Sequence, residues 1–538
     1  LDKAGISLFA VLSALFPLII LIYMMTKKKS VPSNIALPVS AGMVYAIHLV
    51  YFSSDPNLIN ATVIKGILGA LTPISIIWGA VLLTKTMRLS GAGQVVREWL
   101  TGISSNRVAQ LMVIGWAFSF MIEGASGFGT PAAVSAPVLV ALGFEPLPVA
   151  ILALIMNSVP VSFGAVGTPT WFGLGPLGLS HQMLLRIGLD TAFIHAVAAL
   201  IIPVLALAFV VSWREIFRNL VFVYLSVLSC VVPYVMLATV NYEFPSLVGG
   251  AVGLFISILL AKKGVGLAPS VSPSPPCQEI VGVNKKRLTK AFFPLLGVIS
   301  LLVVTRIPML GIKGLLNAET PALQIPLGSL GEFSVSAAMV LDLEKVFLTE
   351  VAWVYKALFV PALIPFFVIC GVSVPFFGLK RTVVKQIWSE SLNQMKVPVV
   401  TLVGAMVMVE LMMVGGESSE TMLIGRAFAE ISGRGWQYVA AFLGALGSFF
   451  SGSATVSNLT FGGIQDSISR SVGLDQRFVL SLQSVGAAMG NMVCINNIIA
   501  VCSILGIYNQ EGFILKRTVI PMGVYGIIAG LLGLAFKT

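Results

Sequence analysis

The chain has 538 residues, of which 57% are apolar and only 10% charged, and its mean hydropathy of +0.97 lies far outside the range of water-soluble globular domains. A net charge of +11 would point to nucleic acid in a soluble chain, but most of the Lys and Arg lie in short loops between apolar runs, where they set membrane orientation. The expectation is an all-α polytopic membrane protein whose large partner is the lipid bilayer, with no nucleic acid bound. Apolar runs of about 20 residues without period-two alternation exclude an outer-membrane barrel.

In chain order, the apolar runs predict twelve transmembrane helices, at about 5–25, 34–53, 63–84, 147–166, 189–211, 221–240, 245–261, 292–310, 356–378, 397–416, 478–505 and 519–536. The chain opens on Leu1, and its natural start is expected upstream; the first run has no cleavage-site pattern. Two further stretches, 108–143 and 436–465, have Gly/Ser-rich centres and are expected to enter the membrane and return as re-entrant hairpins. The Pro/Ser-rich, basic segment 262–291 reads as a cytoplasmic linker between a first half, 1–261, and a second half, 292–538. With the amino terminus outside, that linker and most basic loops fall inside, and the long 311–355 loop falls outside. The hairpins then enter from opposite faces, the ground plan of an inverted repeat with helices broken at mid-membrane.

The tips carry the chemistry. In the first half SFMIEGASGFGTPAAV (119–134) is followed by MNSVPVSFGAVGTP (156–169); in the second GSFFSGSATVSNLTFGG (447–463) is followed by MGNMVCINNIIA (489–500). Thr130-Pro131 after Gly127 and Gly129, and Thr168-Pro169 after Gly164 and Gly167, are N-cap and first-turn signals, so new half-helices should begin there. Ser451, Ser453, Thr455 and Ser457 offer caps around Gly452. Several positive helix ends converging in the membrane make an anion site without a buried Arg, and a small carboxylate is the natural ligand. The bland alternative is that Gly and Ser only permit close helix packing.

Asn157, Asn458 and Asn491 flank the breaks and can bind a hydroxyl or carboxylate or bridge helices; Asn496 and Asn497 lie just beyond. Glu123, beside the first tip, is the preferred proton carrier, and Glu410 the second candidate. Asp190 and His195 read more simply as a loop-facing acid and a packing imidazole than as a relay. Five Cys without CxxC spacing and three His predict no disulfide framework, no metal site and no cofactor. No nucleotide-binding or catalytic motif is present either.

These tips resemble those of the lactate permease family, in EGASGFGTPAAVSAPVLVALGF (123–144), NSVPVSFGAVGTP (157–169), GSFFSGSATVSN (447–458) and the run from Leu482 through the EGFILKRT segment ending at Thr518. The resemblance covers nearly the whole chain. It implies proton-coupled uptake of lactate and glycolate across a bacterial plasma (inner) membrane, and, more loosely, the plan of the ion-transporter superfamily with paired re-entrant hairpins. One position departs: where the family usually has Gly-Ser-Asp-Thr or Gly-Ser-Asn-Thr, this chain has Gly452-Ser453-Ala454-Thr455, which shifts proton transfer toward Glu123. The expected function is therefore symport of a small monocarboxylate with protons, not enzymatic, with a homodimer left open as its assembly. Sodium-coupled carboxylate symport is the alternative, and an intramembrane enzyme the distant one.

Overall fold

The computed structural model describes residues 8–26, 31–52, 54–127, 130–269, 285–306, 310–360, 363–507 and 510–535. Its helices begin where local chemistry satisfies their first N–H groups. Asp55, Asn106, Ser180, Ser212 and Asp475 each accept a backbone N–H of the first turn, and Pro56, Pro146 and Pro245 occupy first helical positions, where the missing donor costs nothing.

Among the described residues, eight helices are long and apolar enough to span a bilayer, and a bent pair, Pro146–Met156 with Val161–Leu177, makes a ninth candidate with a 62° kink. The expected count was twelve. Part of the difference lies in runs that come out short, such as Phe9–Met25 and Leu363–Phe377. Another part lies in the predicted 189–211 span, which breaks after His181–Ala199 and continues only as Ile202–Leu207. Conversely, the first arm of the first hairpin, Arg107–Ser126, passes as a span by length yet is enclosed by protein along nearly all of it.

The chain divides into two compact units, residues 1–93 with 289–427 and residues 94–288 with 428–538. Each unit draws on both halves of the sequence. In the first unit the 32-residue helix Arg381–Met412 is the spine. Glycines let its neighbours come close: a Cβ on Gly66 would stand 2.7 Å from Val407 Cα, and one on Gly404 would stand 2.6 Å from Pro38. At one end of this helix Glu390 pairs with Lys85 and Arg88. The predicted outside loop folds here, unforeseen, into a four-stranded antiparallel sheet of Ala322–Pro326, Glu332–Ser336, Val340–Glu344 and Trp353–Lys356 in simple meander order.

The second unit contains both hairpins. The first runs up through Arg107–Gln110, a π-helical turn Leu111–Phe118 and Ser119–Ser126, turns at Gly127 and returns as Thr130–Ala141. The second rises as Ala440–Ser451, turns at Gly452 and Ser453, and returns as Ala454–Val472, a longer arm than the 436–465 boundaries predicted. Small residues seat these arms on their neighbours: Gly124 and Gly250 face the backbone of Leu247 and Met121, and Gly444 on the rising arm of hairpin two faces that of the helix Gln476–Gly490, whose Gly486 and Gly490 face the rising arm in return. Added methyl groups there would overlap main-chain atoms.

Candidate functional site

Four chain breaks build the site, all within the second unit. At tip one, Gly127 adopts φ +60° and at tip two Gly452 adopts φ +71°, a left-handed backbone that ends each rising arm. The helix Pro146–Met156 ends at Asn157, and after a short 3-10 turn, Val161–Phe163, the chain passes through three consecutive left-handed residues, Ala165, Val166 and Gly167. Left-handed Ala and β-branched Val are strained, and such strain collects at functional sites. The surroundings hold it: Thr168 Oγ1 donates to the Ala165 carbonyl, Trp171 Nε1 to that of Val166 at 3.0 Å, and Thr170 Oγ1 to that of Ser162 at 2.7 Å. The fourth break follows Gln476–Gly490, where Asn491–Val493 forms another 3-10 turn before Ile495–Leu505 begins.

Tip one packs on the first break and tip two on the second. A Cβ on Gly127 would touch Ala165, and one on Gly452 would stand 3.2 Å from Cys494 Sγ. Between the breaks lies a small, partly open cavity lined by Glu123, Gly127, Gly164, Gly452, Ser453, Thr455 and Asn491, among others. Its free volume is about 10 Å³, room for one water molecule.

Among the described residues, Glu123 is the one ionisable side chain on that lining. It is buried, and its Oε2 accepts a hydrogen bond from Asn157 Nδ2 at 3.1 Å. Its other oxygen faces Gly164, where a methyl group would overlap Oε1. Asn157 Oδ1 is enclosed with no hydrogen-bond partner among the described residues. Ser453 caps the returning arm by accepting the Val456 N–H, which leaves the first N–H groups of Ala454–Val472 at the cavity.

Other predicted residues sit differently. Ser457 Oγ donates to the Gly444 carbonyl at 2.6 Å and accepts from Gln483. Asn458 donates to the Pro169 carbonyl at 2.9 Å and also accepts from Gln483. These two side chains brace hairpin two against its neighbours. Asn491 lines the cavity while its Oδ1 accepts from Asn497 at 2.5 Å; Asn496 is exposed. Gly129 and the side chain of Thr130 lie outside the described residues, although the helix Thr130–Ala141 starts where expected.

Glu410 belongs to the first unit, where it pairs with Lys65 at 2.8 Å. Asp190 is not loop-facing: it is buried and paired with Arg477 at 2.8 Å. His195 is more than packing, because both its ring nitrogens are hydrogen-bonded. Gln483, which ties Ser457, Asn458 and Gln465 together, went unnoticed in the sequence. A lone amide in the apolar run 478–490 was the available signal.

The apolar spanning helices and the broken, hairpin-rich second unit make this a multi-pass membrane protein. The L-lactate permease family model matches residues 10–537, and the chain belongs to that family, one of permeases and not of enzymes. Among relatives, a Haemophilus influenzae protein named "Putative L-lactate permease" is 55% identical over 96% of this chain and 97% of its own. The L-lactate permease of Bacillus subtilis is 26% identical over 96% and 93% of the two chains, and the glycolate permease GlcA of Escherichia coli 25% over 87% and 85%. Among solved structures, the efflux pump MtrF of Neisseria gonorrhoeae aligns with 97% of each chain at 14% identity and a TM-score of 0.46.

Proposed function

We propose that the protein is a secondary active symporter that carries lactate- and glycolate-type 2-hydroxymonocarboxylates together with protons across the bacterial plasma (inner) membrane. The observation that carries this reading is the convergence of both hairpin tips and both helix breaks on one small cavity with Glu123 in its lining. Family membership supplies the substrate class.

The chemistry follows from charge. A monocarboxylate entering the cavity meets no basic side chain among the described residues of the lining, so its negative charge is met by the N-terminal N–H groups of the half-helices that start at Ala454 and Thr130. Thr455 and Asn491 stand where the hydroxyl and carboxylate need polar partners. An ionised Glu123 would repel the substrate at short range in a poorly screened site. A proton on Glu123 removes that repulsion and makes loading electroneutral. Sodium has less support, because the carbonyls of Ala165 and Val166, which a left-handed turn would offer to a cation, already accept side-chain donors.

The same reading takes residues 1–261 and 292–538 as two inverted halves of twelve spans in all. The parallel details support it: each half has a helix–glycine–helix tip, then a helix closed by an Asn, then a 3-10 turn.

The deciding experiment is uptake of labelled lactate into proteoliposomes under separately imposed proton and sodium gradients. Accumulation should follow an inward proton gradient. Accumulation driven by sodium alone would replace the proton by sodium in the proposal.

A further inference from the structure

Away from the cavity lining, one buried polar cluster joins the two broken spans. Ser162 lies in the 3-10 turn of the first break and Ser484 in the helix Gln476–Gly490 that leads into the second. Ser162 Oγ donates to the Ser484 carbonyl at 3.0 Å, and Ser484 Oγ donates to Ser162 Oγ at 3.0 Å. His195, on His181–Ala199, places Nε2 2.8 Å from Ser162 Oγ, while its Nδ1 meets the hydroxyl of Tyr525 on Glu511–Ala535. All four side chains are fully enclosed.

Counting protons fixes the arrangement. Ser162 has one hydroxyl proton, and the Ser484 carbonyl takes it. Its oxygen therefore only accepts from its other two neighbours, Ser484 Oγ–H and an N–H on His195 Nε2. With Nε2 protonated, Nδ1 of a neutral ring is the acceptor for the Tyr525 hydroxyl proton. Every donor then has an acceptor. A second ring proton would leave Nδ1–H and the Tyr525 O–H facing each other, with one of them unpaired in a buried site, which is costly.

We infer that His195, held by Tyr525 as the neutral Nε2–H tautomer, is a positioning residue that latches the two broken spans together through Ser162 and Ser484, and so sets the spacing of the breaks that carry Asn157 and Asn491. The importance of that spacing for uptake rests on the proposed transport function; the latch itself does not.

The test uses the full chain in lipid. Only three His are present, so the ¹⁵N imidazole spectrum of histidine-labelled protein is assignable by comparison with H195Q. The expected signature is a protonated Nε2 and an unprotonated Nδ1; a protonated Nδ1 would overturn the inference. Amide hydrogen exchange within 157–164 and 484–494 should quicken about tenfold in H195L and in S162A, while H195Q, whose amide donates and accepts, should stay within about threefold of the parent. In proteoliposomes the lactate concentration giving half-maximal uptake should rise similarly in H195L and S162A and recover in H195Q. If H195L folds poorly, S162A, which removes only a hydroxyl, decides. Parental exchange rates in S162A would overturn the latch. A parent protein that fails to take up lactate would instead refute the proposed function, with tautomer and exchange still judging the latch.

Discussion

The contact between Glu123 and Gly164 shows how a single missing side chain can make room for a buried carboxyl. The carboxyl sits against a backbone that only glycine permits, since a Cβ at Gly164 would overlap Oε1. Gly164→Ala should therefore displace Glu123 and cost about 1–3 kcal/mol through overpacking. The expected outcome is a lower melting temperature with strongly reduced lactate uptake, checked by a thermal unfolding scan alongside transport. Asn157 donates to Glu123 Oε2 at 3.1 Å, and Asn157→Leu would leave that oxygen without its one side-chain donor among the described residues. A buried oxygen so stranded costs about 1–3 kcal/mol. Because that cost falls on the ionised carboxyl more than on the protonated one, the pH giving half-maximal uptake should move upward in Asn157→Leu. An unchanged pH profile would separate Asn157 from the proton step.

The hairpins and breaks are the elements that line the candidate site, and their packing rests on glycines lying on neighbouring main chain. Gly486 stands against the Ala441 carbonyl and Gly490 against that of Ala445, so Gly486→Ala should loosen hairpin two from the second broken span. We expect a clear drop in monodisperse protein recovered from detergent, whereas Gly512→Ala, whose added methyl meets open space, should behave as the parent. The tips were legible in the sequence because their signals are local: Gly127 and Gly452 end helices, and the Ser453 cap opens the next one. The sheet at 322–356 was missed although EFSVS and VLDLE alternate, because short strands in a polar loop give a weak periodic signal. Partnerships such as Gln483 with Asn458, Arg477 with Asp190 and His195 with Tyr525 were not legible, since they join residues far apart in sequence. Composition marks such residues as polar within apolar runs but does not say what they meet.

For the molecule as a whole, membrane orientation is the feature on which the inverted plan depends. A cysteine introduced at Gly328, in the turn between the first two strands of the sheet, should react with an impermeant thiol reagent only from outside, and one at Val265, ahead of the linker's central stretch, only from the cytoplasm. The reverse pattern, or labelling of both from one side, would break the proposed topology. The central claim, that Glu123 carries the proton, is tested most directly by Glu123→Gln in proteoliposomes. The amide keeps shape, burial and an oxygen able to accept from Asn157, so the protein should fold and bind lactate while carrying no proton at this position. The account predicts that uptake driven by an imposed pH gradient fails in this variant, whereas exchange of internal for external labelled lactate, which needs no net proton movement, continues. Accumulation of lactate by Glu123→Gln at the parental level under the same pH gradient would contradict it.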